Sequence, residues 1–146
     1  MPSLLSSDKI LLHARPANRD AAISAAGQLL VDTGHVAPDY VRAMLARETL
    51  ATTYLGNGVA VPHGTRESLA YVHAPGVSIL HVPAGVDFGG GNTVRLVIGL
   101  AARGGEHLDI LAALAEICSD EARLAQLLAV SSPEEMIAIL QVGMPA

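Results

Sequence analysis

Residues 56–65 read Gly56-Asn57-Gly58-Val59-Ala60-Val61-Pro62-His63-Gly64-Thr65. Gly56-Asn57-Gly58 forms a turn, because glycine and asparagine tolerate the positive φ that tight turns need. Val59-Ala60-Val61 is a short apolar strand. Pro62 fixes its own φ and has no N–H to give to a ladder, so the strand stops there. His63 then stands just past a strand end, where functional side chains commonly project. Gly64 leaves room for close approach of another backbone. From the residues alone, His63 is either a functional imidazole or a turn histidine exposed by accident.

The neighbouring stretches extend this strand into a sheet. Thr52-Thr53-Tyr54 precedes the turn and is strand-like. Val77 to Val82 reads as a buried strand, Gly89-Gly90-Gly91-Asn92 as a turn, and Val94 to Ala102 as a strand buried on both faces. Ile10-Leu11-Leu12 supplies a first strand. Helices lie outside this block. Asn18 is an N-cap with Asp20 in the first turn, followed by Ala21, Ala22, Ala25, Ala26, Leu29 and Leu30 at helical spacing up to Gly34. A second helix starts near Pro38-Asp39, places Val41, Met44 and Leu45 on one face, and closes at Arg47-Glu48. His107 to Cys118 is a third, with Leu108, Leu111, Ala112 and Ala115 on one face. Asp120 caps a fourth, and Ser132-Pro133-Glu134-Glu135 is a capping box with Pro at the first helical position. The order of elements predicts an α/β fold. It is one domain over 1–146, a mixed sheet of about five strands flanked by helices on both sides.

Composition excludes several function classes. The 146 residues are 51% hydrophobic and 16% charged, which is not the balance of a disordered chain. The net charge is −5 with no basic cluster, so no nucleic-acid partner is expected. Aromatic residues are 3%, with no Trp, too few for stacking platforms. A single cysteine, Cys118, excludes an internal disulfide and a Cys-based zinc site. Ser68 to Val86 carries no charged residue but contains Pro75, Pro83, Gly76 and Gly85. A membrane helix needs about 20 apolar residues with an intact backbone, so no membrane insertion is expected. Met1 to Leu12 lacks the pattern of an export signal, and the cytoplasm is the expected compartment.

Two longer blocks carry a resemblance. Arg47-Glu48-Thr49-Leu50-Ala51-Thr52-Thr53-Tyr54-Leu55 continues directly into residues 56–65. Val94-Arg95-Leu96-Val97-Ile98-Gly99-Leu100-Ala101-Ala102 is followed by Gly105-Glu106-His107-Leu108-Asp109-Ile110-Leu111. Both resemble the mannitol/fructose-type enzyme IIA proteins of the bacterial phosphoenolpyruvate-dependent sugar phosphotransferase system, and the wording is that of the mannitol branch. The likeness covers roughly residue 4 to residue 141. It implies a protein that takes a phosphoryl group from the phosphohistidine of the carrier HPr onto Nε2 of its own histidine. The group then passes to a cysteine of a IIB domain, which serves a sugar permease.

In that reading His63 is the acceptor, and neutral imidazole suits the work because it is nucleophilic near neutral pH. The other ring nitrogen is expected to donate to a backbone carbonyl, which fixes the tautomer. His107 matches the family's second active-site histidine and reads as opening a helix whose N-terminus attracts phosphate. Glu106 is expected to face away or to bond His107. Arg47 matches the family's arginine; a guanidinium grips phosphate oxygens in a fork. Asn57 either helps shape the site or serves only its turn. No metal and no cofactor is implied. Two other readings remain: a regulatory phosphoprotein of the same fold that signals sugar supply by binding a target, and a binding module in which His63 is never phosphorylated.

The remaining polar residues read as structural. His81 and His13 are satisfied core or edge histidines, while His35 and His73 belong to polar turns. Cys118 is a small buried apolar residue. Gly89-Gly90-Gly91 lacks the Lys and Ser/Thr of a nucleotide loop.

Overall fold

The two apolar runs in the middle of the chain pair with each other. The computed structural model of the protein describes residues 3–144, so the first two residues of the segment Met1 to Leu12 lie outside it. Five strands form one sheet: β1 (Ile10–Leu11), β2 (Tyr54–Gly56), β3 (Val59–Ala60), β4 (Gly76–Asp87) and β5 (Thr93–Ala101). Their spatial order is β1-β4-β5-β3-β2. The β1–β4 and β3–β5 pairs are parallel, and β4–β5 and β2–β3 are antiparallel, so the sheet is mixed as the sequence predicts. Five α-helices follow the expected order: α1 (Arg19–Asp32), α2 (Asp39–Leu50), α3 (Gly104–Ser119), α4 (Glu121–Leu128) and α5 (Pro133–Gln141).

Alternation along the central strands makes two cores. Val77 and Ile79 of β4 and Leu96, Ile98 and Leu100 of β5 pack with Ile110, Leu114 and Ile117 of α3 and with α4 and α5. Leu80 and Val82 of β4 and Val97 and Ala101 of β5 pack with Ala22, Ile23, Ala26 and Leu30 of α1 and with Tyr40 and Met44 of α2. Helices therefore cover both faces. Each fully buried Leu, Ile or Val contributes roughly 1.5–3 kcal/mol, which is why a nearly continuous apolar run becomes the centre of the sheet.

The caps stand where the sequence puts them. Asn18 accepts from the Ala21 N–H at 2.8 Å, Asp120 from Ala122 and Arg123, and Ser132 from the Glu135 N–H at 3.2 Å. The turn before β3 has Gly56, Asn57 and Gly58 all at positive φ.

Three elements differ from expectation. β4 runs past Val82 to Asp87, because its pairing with β5 shifts register between His81 and Val86. That irregularity lets Pro83 sit in the strand where no ladder N–H is required. β2 begins at Tyr54, since Thr52 and Thr53 turn inward to a carboxylate described below. On α3 the buried residues are Ile110, Leu114, Ile117 and Cys118, whereas Leu108 is 65% exposed. The helix starts at Gly104, and its many Leu and Ala residues satisfy more than one 3.6-residue phase, so the sequence does not single out the buried face.

His35 is no polar-turn residue. It is fully buried, with Nε2 2.8 Å from Nζ of Lys9, which is itself 1% exposed. Lys9 also donates to the Ser3 carbonyl. Burial holds both groups below their usual pKa values, and the Lys9 charge lowers His35 further. His81 is buried as expected, with Nε2–H donating to the Leu128 carbonyl at 3.0 Å. His73 is exposed.

Candidate active site

β3 carries the chain towards α3. It runs parallel to β5, and beyond it the Leu100 N–H donates to the Pro62 carbonyl at 2.9 Å while His63 bridges to Leu100. β5 ends at Ala101 and α3 begins at Gly104, so His63 meets the start of α3 at the carboxyl ends of two parallel strands. Open α/β sheets commonly build their sites at that edge. His107 is the fourth residue of α3, and the two imidazole rings lie 5.0 Å apart, centre to centre, at 69°. It does not open the helix. Its N–H bonds back to the Arg103 carbonyl, and the leading amides are those of Gly104, Gly105 and Glu106.

The tautomer of His63 follows from one contact. Nδ1 lies 2.9 Å from the Val61 carbonyl, which can only accept, so Nδ1 carries the proton and Nε2 carries the lone pair. Among the described residues, Nε2 has no hydrogen-bond partner. Burial holds His63 below the usual imidazole pKa; the Val61 carbonyl and the nearby Glu48 carboxylate oppose this, and Arg47, with His107 when protonated, reinforces it. Burial and then Arg47 lower His107 likewise. Both rings are therefore neutral at pH 7.

The C-terminal turn of α2 builds the next wall. Arg47 donates from Nη1 to the Ala51 carbonyl at 2.6 Å, closing the helix. Glu48 is 4% exposed and makes no salt bridge among the described residues; its carboxylate accepts from Thr52 Oγ1 at 2.8 Å, Thr53 Oγ1 at 2.6 Å and Thr53 N–H at 3.1 Å. Thr53 in turn accepts from the Val61 N–H at 3.0 Å. A buried charge is tolerable when its lone pairs are filled this way. Glu48 thus fixes Thr53, Thr53 fixes Val61, and Val61 fixes the ring of His63.

His63, His107 and Arg47 line a cavity of about 340 Å³ with Tyr40, Arg66, Leu69 and Leu108. Arg47, His63 and His107, the three residues singled out in the sequence, all lie on it. Glu106 does not. It is exposed and lines a separate depression with Arg103 and His73. Asn57 lies at the opposite end of β3, with a φ of 55° and its Nδ2 donating to the Cys118 carbonyl at 3.3 Å, so its place is the turn. Cys118 is buried, and burial pushes its thiol up to about 11. Tyr40, Glu48 and Arg66 escaped the sequence reading. A signal for the first two existed: Tyr40, Met44 and Glu48 recur at four-residue spacing on one helix face.

Among the described residues no three His, Cys, Asp or Glu side chains converge as a metal ligand set, and no helix is long and apolar enough to cross a membrane. The cavity instead offers a neutral nucleophilic nitrogen, a second imidazole and two guanidiniums, a set suited to a group carrying several negatively charged oxygens.

Comparison with known proteins agrees with that chemistry. A mannitol-specific phosphotransferase enzyme IIA component of Geobacillus stearothermophilus is 43% identical over 137 residues, covering 94% of each chain. The mannitol enzyme IIA of Escherichia coli, solved in complex with phosphorylated mannitol enzyme IIB, superposes with a TM-score of 0.89 at 40% identity, covering 94% of this chain and 97% of that one. The crystal structure of the Escherichia coli mannitol IIA gives a TM-score of 0.86 at 41% identity, covering 93% and 98%. The model of one family, described as phosphoenolpyruvate-dependent sugar phosphotransferase system, EIIA 2, matches residues 3–142. With sequence and fold both matched across nearly the full length, the chain belongs to the EIIA 2 family of the phosphoenolpyruvate-dependent sugar phosphotransferase system.

Proposed function

We propose that the protein is a phosphoryl carrier of this transport system, with His63 as the acceptor and with His107 and Arg47 as supporting residues. The Nε2 lone pair of His63 attacks the phosphorus held by the phosphohistidine of HPr. A new N–P bond forms, the donor N–P bond breaks, and the electron pair of that bond leaves with the donor imidazole. A thiolate of a IIB domain then attacks the same phosphorus, an S–P bond forms, and His63 leaves with its Nε2 lone pair restored. Phosphoryl transfer needs positioning and charge neutralisation more than covalent help. His63 supplies position, Arg47 supplies charge, and His107 faces the acceptor ring from α3. As the ring gains positive character on phosphorylation, its Nδ1–H bond to the Val61 carbonyl strengthens and stabilises the carrier state.

The observation that carries this reading is the His63 Nδ1 contact with Val61, which leaves Nε2 free on a cavity with two guanidiniums. The names of the relatives support mannitol or a related polyol as the transported sugar. We take residues 1–146 as one domain, supported by the single family match over residues 3–142, and exchange with HPr supports the cytoplasm as the protein's compartment.

The test is incubation with phosphoenolpyruvate, enzyme I and HPr, followed by mass spectrometry. One acid-labile phosphoryl group is expected, dependent on HPr and absent in His63→Ala. Loss in His107→Ala with retention in His63→Ala would exchange the two roles. A wild type that stays unmodified beside an active control enzyme IIA would overturn the carrier. Uptake without onward transfer to any IIB domain would favour the signalling alternative.

A further inference from the structure

Tyr40 is 2% exposed, and its hydroxyl sits between two backbone groups of the site. It accepts from the Gly64 N–H at 2.9 Å and donates to the Leu100 carbonyl at 2.8 Å. Gly64 directly follows His63, and Leu100 is the residue with which His63 bridges. One hydroxyl therefore ties the peptide just after the imidazole to the strand beside it.

The chain is fitted for this contact. A Cβ on Gly64 would lie 2.6 Å from Tyr40 Cε1 and 2.3 Å from Ser68 Oγ, so only a bare backbone lets the phenol come so close. Burial pushes the phenol up to about 12, which keeps its proton on the oxygen, donated to Leu100, at any physiological pH.

The need for such a tie lies in the ring's own anchor. Nδ1 bonds to a carbonyl only two residues earlier in the chain, so the bond survives only while the backbone around His63 keeps its angles. Pro62 fixes the residue before. Nothing in the side chain of Gly64 restrains the residue after, and there the Tyr40 hydroxyl takes over.

Building on the carrier reading above, we propose that Tyr40 is a positioning residue for phosphoryl transfer: its hydroxyl holds the His63–Gly64 peptide so that Nδ1–H stays on the Val61 carbonyl and Nε2 stays presented to the cavity. The Tyr40 hydroxyl is already engaged by the Gly64 N–H and the Leu100 carbonyl. It acts through His63, where small displacements of a reacting atom are costly in rate.

The test is Tyr40→Phe, which keeps the ring and its packing and removes one oxygen. Single-turnover transfer from phospho-HPr is expected to slow about tenfold or more at saturation, with the half-saturating concentration of phospho-HPr changed less than about twofold. Nitrogen-15 spectra of the imidazole carry a signature that a purely structural role would not move. In the wild type His63 is one neutral tautomer protonated at Nδ1, and in the variant it becomes a mixture. A variant that melts earlier but keeps both rate and tautomer would overturn the proposal. A wild type that accepts nothing from phospho-HPr would sink the carrier reading, while the tautomer comparison would still decide the role of Tyr40. Should the variant fail to fold, exchange of the Gly64 amide in the wild type decides. Slow exchange before and after phosphorylation supports the tie, and exchange at the rate of an open loop overturns it.

Discussion

At His63 the proton is held on Nδ1 by a carbonyl 2.9 Å away, so the ring's reactivity is concentrated on Nε2. Burial and Arg47 both push the ring's pKa down, so the lone pair persists into mild acid. The rate of phosphoryl acceptance is therefore expected to stay flat through neutral pH and to fall only below the ordinary histidine value of 6.5. Arg47→Gln separates charge from geometry. Removing the cation should raise the pKa of both His63 and His107 and move that acid limb upward, as read by imidazole NMR titration. It should also slow acceptance roughly 10²-fold, the usual scale for losing one preorganised charge-stabilising group. Arg47→Lys should restore the pKa values more fully than the rate, because it restores the charge but not the fork. An acid limb unmoved in Arg47→Gln would mean that the guanidinium does not act on the rings.

Among the elements, α2 does more for the site than its composition suggests. Its buried face reads Tyr40, Met44, Glu48, and the two polar ends bracket His63 from opposite sides. Thr53→Val tests the Glu48 end: it keeps the shape of the side chain and removes a 2.6 Å hydrogen bond to a buried carboxylate. A cost of about 2 kcal/mol in urea unfolding is expected, the scale for a hydrogen bond to a charged group. No loss would mean that water replaces the hydroxyl. Legibility divides along chemical lines here. Asn18, Asp120 and Ser132 announced their helices, because a cap is a local bond between near neighbours in sequence. The buried face of α3 and the extension of β4 past Pro83 did not show, because each depends on what lies across the fold. Tyr40 stayed hidden for the same reason: its partners Gly64 and Leu100 lie 24 and 60 residues away.

For the molecule as a whole, the three imidazoles His35, His63 and His107 share one linkage property. Burial leads the cause in each, and each has its folded pKa below 6.5. Below that value the unfolded chain binds protons that the native rings refuse, so stability must fall as pH drops from about 6.5 towards the folded values. The urea midpoint is expected to be lower at pH 5.5 than at pH 7.5, and equal midpoints would refute this account. The sheet, its two helical layers and the set Arg47, His63 and His107 that meets on one cavity could be read from the chain, Arg47 and His107 mainly because long stretches of wording resemble a family. The Lys9–His35 contact could not, since a lysine near a chain start ordinarily reads as solvated.

That contact also leaves the folded surface without an exposed ε-amine. Lys9 is the only lysine in the sequence, and it is 1% exposed. An amine-reactive ester offered to the native protein finds no lysine side chain of this sequence at the surface. Modification of Lys9 then requires the opening segment to detach from His35, so its rate of labelling times the release of that segment while the rest of the molecule remains folded.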